Sequence, residues 1–133
     1  SIVGDGPQKE LLKNMDKDNI LFLGHVPNDR LPEIYGRHDV FILPSRYEPW
    51  GLVVEEALFR GLPVIASDKV GSAADIVAAL ETGAVFSLSA PDGLSNAIHE
   101  VEKNYETMAR RVADINWNSR VETQLKAYTS LLD

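Results

Sequence analysis

Two glutamates separated by seven residues, Glu48 and Glu56, lie on either side of a predicted turn. Before them, the apolar run 41–43 predicts a buried strand, and the turn 48–51 leads from it into a predicted helix. Carboxylates accept hydrogen bonds from hydroxyl groups, so this pair could hold two hydroxyl-bearing groups at once. The spacing therefore indicates binding of a polyhydroxylated ligand, whereas a plainer reading makes Glu48 a loop carboxylate and Glu56 a solvated helix residue.

The turn lies where α/β proteins commonly bind ligands. Open parallel sheets bind them beyond the carboxyl ends of their strands, beside helix N-termini. The free amides and the positive end of the helix dipole there attract phosphate, and Gly51 allows close approach to the backbone. A carboxylate on each side of a bound phosphate bridge matches a nucleotide sugar, in which a pyrophosphate joins a ribose to a hexose.

These residues resemble the donor-binding half of the retaining GT-B glycosyltransferases of family four. The hallmark of that family is Glu, seven residues and Glu, with Pro-x-Gly after the first Glu, and Glu48 and Glu56 match it. The resemblance covers nearly all of the chain. The other matching parts are residues 4–7, 22–27, 45–52 and 61–66, and Trp117.

The resemblance implies a role for each residue of the turn. Glu48 would be the catalytic residue, holding the hydroxyls of the transferred sugar, and Glu56 would hold the ribose. The neighbouring Glu55, about 100° round the helix, is expected to face solvent. The backbone of the turn would contact the sugar and the phosphates, and its donor-binding residues are Pro49, Trp50, Gly51, Leu52 and Val53.

Five further residues could also contribute to the site. His25 and Val26 follow a predicted strand, and the resemblance implies that their loop lines the base pocket, mainly through its backbone. Arg46 is more often a surface residue than a phosphate ligand. Gly71 and Ser72 open a predicted helix and would either add a donor amide to the rim of the site or simply cap that helix.

Composition narrows the class of protein. The 133 residues are 44% hydrophobic and 25% charged, which is typical of one globular domain with a sizeable core. The net charge of −7 argues against a nucleic-acid groove, which needs basic residues. Cysteine is absent, which excludes disulfides, and no apolar run is long enough to span a bilayer.

Short apolar runs alternate with helical patterns, which predicts an α/β fold: a Rossmann-like parallel sheet with helices on both faces. Leu11 and Leu12 should face inward from the first helix, and Leu52, Val53, Ala57 and Leu58 should share one apolar face. The predicted strands are 1–4, 20–24, 39–43, 63–66 and 83–86. The predicted helices are 8–15, 28–37, 51–61 and 72–80, one opening at Pro91, 105–113 and 117–132.

The first residue is Ser1, and the sequence begins within a predicted strand. We expect residues 1–133 to be the donor-binding domain of a longer, two-domain enzyme, with a central strand missing between strands 1–4 and 39–43. The resemblance implies an N-terminal domain that binds a glycan or glycolipid acceptor, and a role in carbohydrate or polysaccharide biosynthesis. The fragment alone should be inactive. A cytoplasmic location, with peripheral association of the longer enzyme at a membrane, is also implied.

The resemblance implies no metal and no cofactor besides the nucleotide sugar. Asp16-Lys17-Asp18 has the Asp-x-Asp form of a metal motif, but it lies in a polar turn after a helix. Two other functions stay open: a nucleotide-sugar epimerase or hydrolase on the same fold, and a non-catalytic interaction module. Free sugar released without an acceptor would indicate the former, and failure to bind any nucleotide sugar would indicate the latter.

Overall fold

The computed structural model describes residues 1–15, 18–120 and 122. The chain forms two units: the first is Ser1–Arg37, and the second begins at His38. Its strands pair in two separate parallel sheets, one of two strands and one of three, rather than in the single sheet expected from the sequence. None of the described helices is both long and apolar enough to cross a membrane.

The first unit contains two short strands and two short helices. Strand β1 (Ile2–Val3) pairs in parallel with β2 (Phe22–Gly24), with an irregular register between Ile2 and Val3. The helices are α1 (Lys9–Met15) and α2 (Leu31–Tyr35). Lys9 and Asp5 form an ion pair at 2.8 Å, which joins the start of α1 to the turn before it.

The prediction that Leu11 and Leu12 face inward is wrong. Their side chains are 56% and 41% exposed, and no residue of α1 is buried. A two-stranded sheet presents too little surface to cover the apolar side of a helix. Among the hydrophobic side chains described in this unit, Tyr35 is the buried one. The apolar spacing in the sequence thus predicted the helix correctly but not the burial of its leucines.

The second unit holds a three-stranded sheet in the order β3-β4-β5, with every pair parallel. Its strands are β3 (Phe41–Leu43), β4 (Val64–Ser67) and β5 (Gly83–Phe86). Its helices are α3 (Leu52–Phe59), a π-helix (Ala73–Ala78) and α4 (Gly93–Ala113).

Strand β4 is the centre of the core, because all four of its residues are buried. Successive strand residues point to opposite faces, so both faces of the sheet are covered at β4. On the face of Ile65, Ala97 and Val101 of α4 join one hydrophobic cluster with β5. Both α3 and the π-helix also contact β4. The predicted α/β fold with parallel strands and helices is confirmed.

Two helices of the second unit differ from their predictions in length or type. Residues 105–113 do not form a separate helix: α4 is continuous, because Ala97, Val101, Met108 and Val112 form one buried stripe with no glycine or proline to interrupt it. The helix predicted from residue 72 is a π-helix, in which the Ala79 amide donates to the Ala74 carbonyl five residues back.

The apolar face of α3 is also shifted from the predicted one. Val54, Ala57 and Leu58 are buried, whereas Leu52 is 65% exposed, because it lies about 140° round the helix from Ala57. The predicted bounds hold: α3 begins after Gly51 and ends before Gly61, which has a left-handed φ of +89°. Asp16 and Lys17, and residues 121 and 123–132 of the last predicted helix, lie outside the described residues.

Candidate functional site

The candidate site begins where β3 ends. Regular pairing of β3 with β4 stops at Leu43 and Ala66, and it resumes at a single parallel bridge between Glu48 and Val70. Between these two pairing positions, the chain after β3 has four residues (44–47), whereas the chain after β4 has three (67–69). The chain therefore bulges by one residue before Glu48, and such bulges commonly redirect side chains next to functional sites.

Hydrogen bonds fix this site loop, residues 44–51, to a facing segment, residues 67–72. The Glu48 amide donates to the Lys69 carbonyl at 3.1 Å, and the Gly71 amide donates to the Glu48 carbonyl at 2.9 Å. The Ser72 amide donates to the Trp50 carbonyl, also at 2.9 Å. The amides of Gly71 and Ser72 are thus bonded to the site loop, so the suggestion that they bind ligand is wrong.

Gly51 connects the site loop to α3 in a conformation that disfavours other residues. Its φ is +88°, in the left-handed region, and a Cβ added to it would lie 2.9 Å from Val70 Cγ1. No side chain caps the N-terminus of α3. The first amides of an α-helix have no partner within it, so Leu52 and Val53 present donors that suit an anion.

The three glutamates of this region differ in exposure. Glu48 is half-buried at the Val70 bridge, and Glu56 is exposed on the second turn of α3. Within the described part of the chain, neither carboxylate forms an ion pair. Both are therefore available to accept hydrogen bonds from a ligand.

Glu55 does not face solvent as expected. It is half-buried, and its Oε1 atom is shielded from solvent without a hydrogen-bond partner. Helix position explains this, because Glu55 borders the face of α3 on which Val54, Ala57 and Leu58 are buried. Glu55 and Glu56 thus differ sharply in environment, although they are adjacent in the sequence.

The other predicted ligands have mixed exposure. Trp50 is 40% exposed, and Pro49 and Leu52 are also exposed, whereas Gly51 is buried and Val53 half-buried. In the first unit, His25 is exposed and Val26 half-buried after β2. The roles given to these residues stay predictions.

Two aspartates have a pKa below the usual range. An ion pair and hydrogen bond from Lys9 lower the pKa of Asp5, with a smaller contribution from the His25 amide. In the second unit, the Ser87 hydroxyl donates to Asp68 Oδ2 at 2.8 Å and lowers the pKa of Asp68. Both carboxylates are thus held in their charged form, which suits fixing a turn better than proton transfer.

Ser67 is a residue that the sequence analysis missed. Its hydroxyl donates to the Ser45 carbonyl at 2.5 Å and accepts a hydrogen bond from the Lys69 amide at 3.3 Å. A signal was available, since a polar residue directly follows the apolar run 63–66 at the end of a buried strand. The facing segment as a whole holds the site loop through these hydrogen bonds.

A family model covers most of the chain. Residues 1–116 match the model described as "Glycosyl transferases group 1". The chain belongs to the group 1 glycosyl transferases. The resemblance to the group 1 glycosyltransferases is thus confirmed at the level of the family.

Several relatives are recognisable by sequence. A sulfoquinovosyl transferase of Arabidopsis thaliana is 35% identical over 99 residues, which are 74% of this chain and 19% of the relative. A GDP-mannose-dependent alpha-mannosyltransferase of Mycobacterium tuberculosis is 35% identical over 115 residues, or 83% and 30% of the two chains. The chain therefore spans less than a third of each of these two relatives.

Solved structures show the same fold. A sucrose-phosphate synthase from Thermosynechococcus elongatus superposes with a TM-score of 0.70 at 29% identity, over 98% of this chain and 37% of that one. The glycosyltransferase WaaG, described as involved in lipopolysaccharide biosynthesis, superposes with a TM-score of 0.68 at 22% identity, over 84% and 30%. The expected GT-B architecture is confirmed for the region that this chain covers.

Proposed function

We propose that this chain is the nucleotide-sugar-binding domain of a retaining glycosyltransferase. One arrangement supports the proposal above all. The uncapped N-terminus of α3 follows Gly51, with Glu48 before this N-terminus in the sequence and Glu56 after it. Anion-binding amides between two carboxylates that have no ion pair match the alternation of hydroxyls and phosphates along a nucleotide sugar.

In the proposed complex, the diphosphate lies against the amides of Leu52 and Val53. Glu56 accepts hydrogen bonds from the ribose hydroxyls, and Glu48 accepts them from the transferred sugar. Charge-assisted hydrogen bonds of this kind are shorter and stronger than neutral ones.

Catalysis in this proposal comes from position and charge rather than from proton transfer. The site holds the anomeric carbon toward an acceptor, and the helix amides stabilise the negative charge that develops on the departing diphosphate. Glu48 acts on the sugar as its ring flattens and gains positive charge. The proposed reaction uses no metal and no cofactor besides the nucleotide sugar.

The names of relatives support a nucleotide-sugar donor. One is GDP-mannose-dependent, and the structure of a starch synthase that this fold resembles was determined with bound ADP. Other relatives are named glycogen synthases. We therefore propose a glycan, glycolipid or polysaccharide acceptor, bound by a second domain of a longer enzyme that works in the cytoplasm or at its membrane.

The donor test compares two adjacent glutamates in the longer enzyme. Glu56→Gln keeps the size of the side chain but removes its charge, and a hydrogen bond to a charged group contributes roughly 1.5–3 kcal/mol. Donor affinity should fall about ten- to a hundredfold. Glu55→Gln is the matched control, because it makes the same change about 100° away round α3 and should leave donor affinity unaltered.

Glu48→Gln should act differently, lowering turnover more than donor affinity, because its contact tightens in the transition state. Calorimetric titration with UDP-, GDP- and ADP-sugars measures affinity, and steady-state rates measure turnover. Circular dichroism confirms that each variant is folded. If folded Glu56→Gln and Glu48→Gln proteins keep wild-type affinity and turnover, the donor-site assignment is wrong.

A further inference from the structure

We infer that Ser67 is a positioning residue for Glu48, an inference that rests on the proposed function. Ser67 is the last residue of β4, and its side chain is completely buried. It does not reach solvent, so its effect on a bound sugar would pass through the site loop. Its hydroxyl forms the hydrogen bond to the Ser45 carbonyl that is described above.

The hydrogen bond from Ser67 to Ser45 lies where the pairing between the chain segments that follow β3 and β4 is interrupted. Residues 44–47 form no regular pairs with the facing segment, and Pro44 has no amide to donate. The Ser67 hydroxyl supplies a hydrogen bond within this gap and also accepts one from the Lys69 amide. One buried side chain therefore joins the bulge to the facing segment just before the position of Glu48.

Removal of this hydroxyl should release the bulge. The Ser45 carbonyl would lose its bond, and the chain between Leu43 and Glu48 would be held at its two ends alone. The backbone that leads into Glu48 would then move more freely and would aim the Glu48 side chain less firmly, whereas Glu56 and the first amides of α3 are fixed by the helix and its buried face. The predicted defect is therefore in the contact with the transferred sugar, not in binding of the nucleotide.

Ser72 provides a matched control in the same segment. It is also completely buried, but its hydroxyl has no hydrogen-bond partner. Ser67→Ala and Ser72→Ala therefore delete the same atom from equally buried sites five residues apart. They differ in that Ser67→Ala alone breaks a bond to the site loop.

The first experiment needs no ligand. Hydrogen exchange of the Glu48 amide, measured by NMR on the free protein, reports how firmly the site loop is held. Ser67→Ala should speed this exchange about tenfold or more, whereas Ser72→Ala should leave it at the wild-type rate. Equal exchange in the two variants would overturn the inference.

The second experiment measures function in the longer enzyme. Ser67→Ala should lower turnover about ten- to a hundredfold, the scale expected for a displacement near 1 Å, and leave donor affinity unchanged. Ser67→Cys, a near-isosteric and weaker donor, should recover part of the loss. Ser72→Ala should keep wild-type turnover.

The results separate this inference from the proposed function. If the wild-type protein binds a nucleotide sugar and the two alanine variants turn over equally, the role of Ser67 is refuted and the donor site stands. If Ser67→Ala weakens donor affinity as much as turnover, its role is structural rather than positional. A wild-type protein that binds no nucleotide sugar would overturn both proposals.

Discussion

Gly71→Ala should disable the site by forcing the site loop away from the facing segment. A Cβ added to Gly71 would lie 2.9 Å from the Pro49 carbonyl carbon and 3.2 Å from Trp50 Cα, and closer still to the Pro49 carbonyl oxygen. All three are backbone atoms, so no rotation of a side chain can relieve the contact. The two chain segments themselves must separate.

The stability lost in Gly71→Ala follows from the hydrogen bonds that join the site loop to the facing segment. The Gly71 and Ser72 amides each donate at 2.9 Å, to the carbonyls of Glu48 and Trp50. A separation of roughly 1 Å stretches both bonds beyond the usual range of about 2.7–3.2 Å. At about 0.5–1.5 kcal/mol for each bond, the free energy of unfolding should fall by about 1–3 kcal/mol.

Gly61→Ala is the control for lost stability. Gly61 has a φ of +89° with nothing within 4 Å of an added Cβ, so the substitution strains the backbone by roughly 1–2 kcal/mol far from any close contact. Urea unfolding should thus show similar losses in the two variants, while nucleotide-sugar titration should show weaker binding for Gly71→Ala alone. Equal affinities in two equally destabilised proteins would refute the reasoning.

Two further predictions concern residues away from the site loop. Glu81, which pairs with Arg111, has a left-handed φ of 52°. Asparagine tolerates this conformation, so Glu81→Asn should leave the free energy of unfolding in urea nearly unchanged. A β-branched residue does not tolerate it, so Glu81→Val should lower that free energy by roughly 1–2 kcal/mol. Ser87→Ala should raise the lowered pKa of Asp68 toward 3.8, as measured by NMR titration. In the wild type, the stabilisation from this bond is present above the unfolded pKa and disappears as pH falls through the lower, folded pKa.

The sequence predicted features that depend on local chemistry. The apolar run at β4 indicated a buried strand, and Gly51 and Gly61 indicated where α3 begins and ends. A strand buried on both faces is apolar at successive positions, and a left-handed turn favours glycine, so both leave local signals. The turn between Glu48 and Glu56 could be predicted for the same reason, whereas ligand binding by the two glutamates stays a prediction.

Features that depend on contacts distant in the sequence were missed. Leu11 and Leu12 have the spacing of an inward face, but their exposure depends on how much sheet is present to cover α1. Glu55 was expected in solvent because it lies about 100° round the helix from Glu56, although it follows the buried Val54 and its Oε1 atom is shielded from solvent. The bond from Ser67 to Ser45 joins residues 22 positions apart, and no periodic pattern encodes such a bond.

The central claim is that a nucleotide sugar binds at the N-terminus of α3. The most direct measurement is an NMR titration of the labelled 133-residue chain with UDP-, GDP- and ADP-sugars, following every assigned amide. If the donor binds there, one of these nucleotide sugars saturably shifts the amides of Leu52, Val53 and Glu56, and Glu56→Gln weakens the response. Shifts confined to α4, or no saturable shift with any of the three donors, would contradict it.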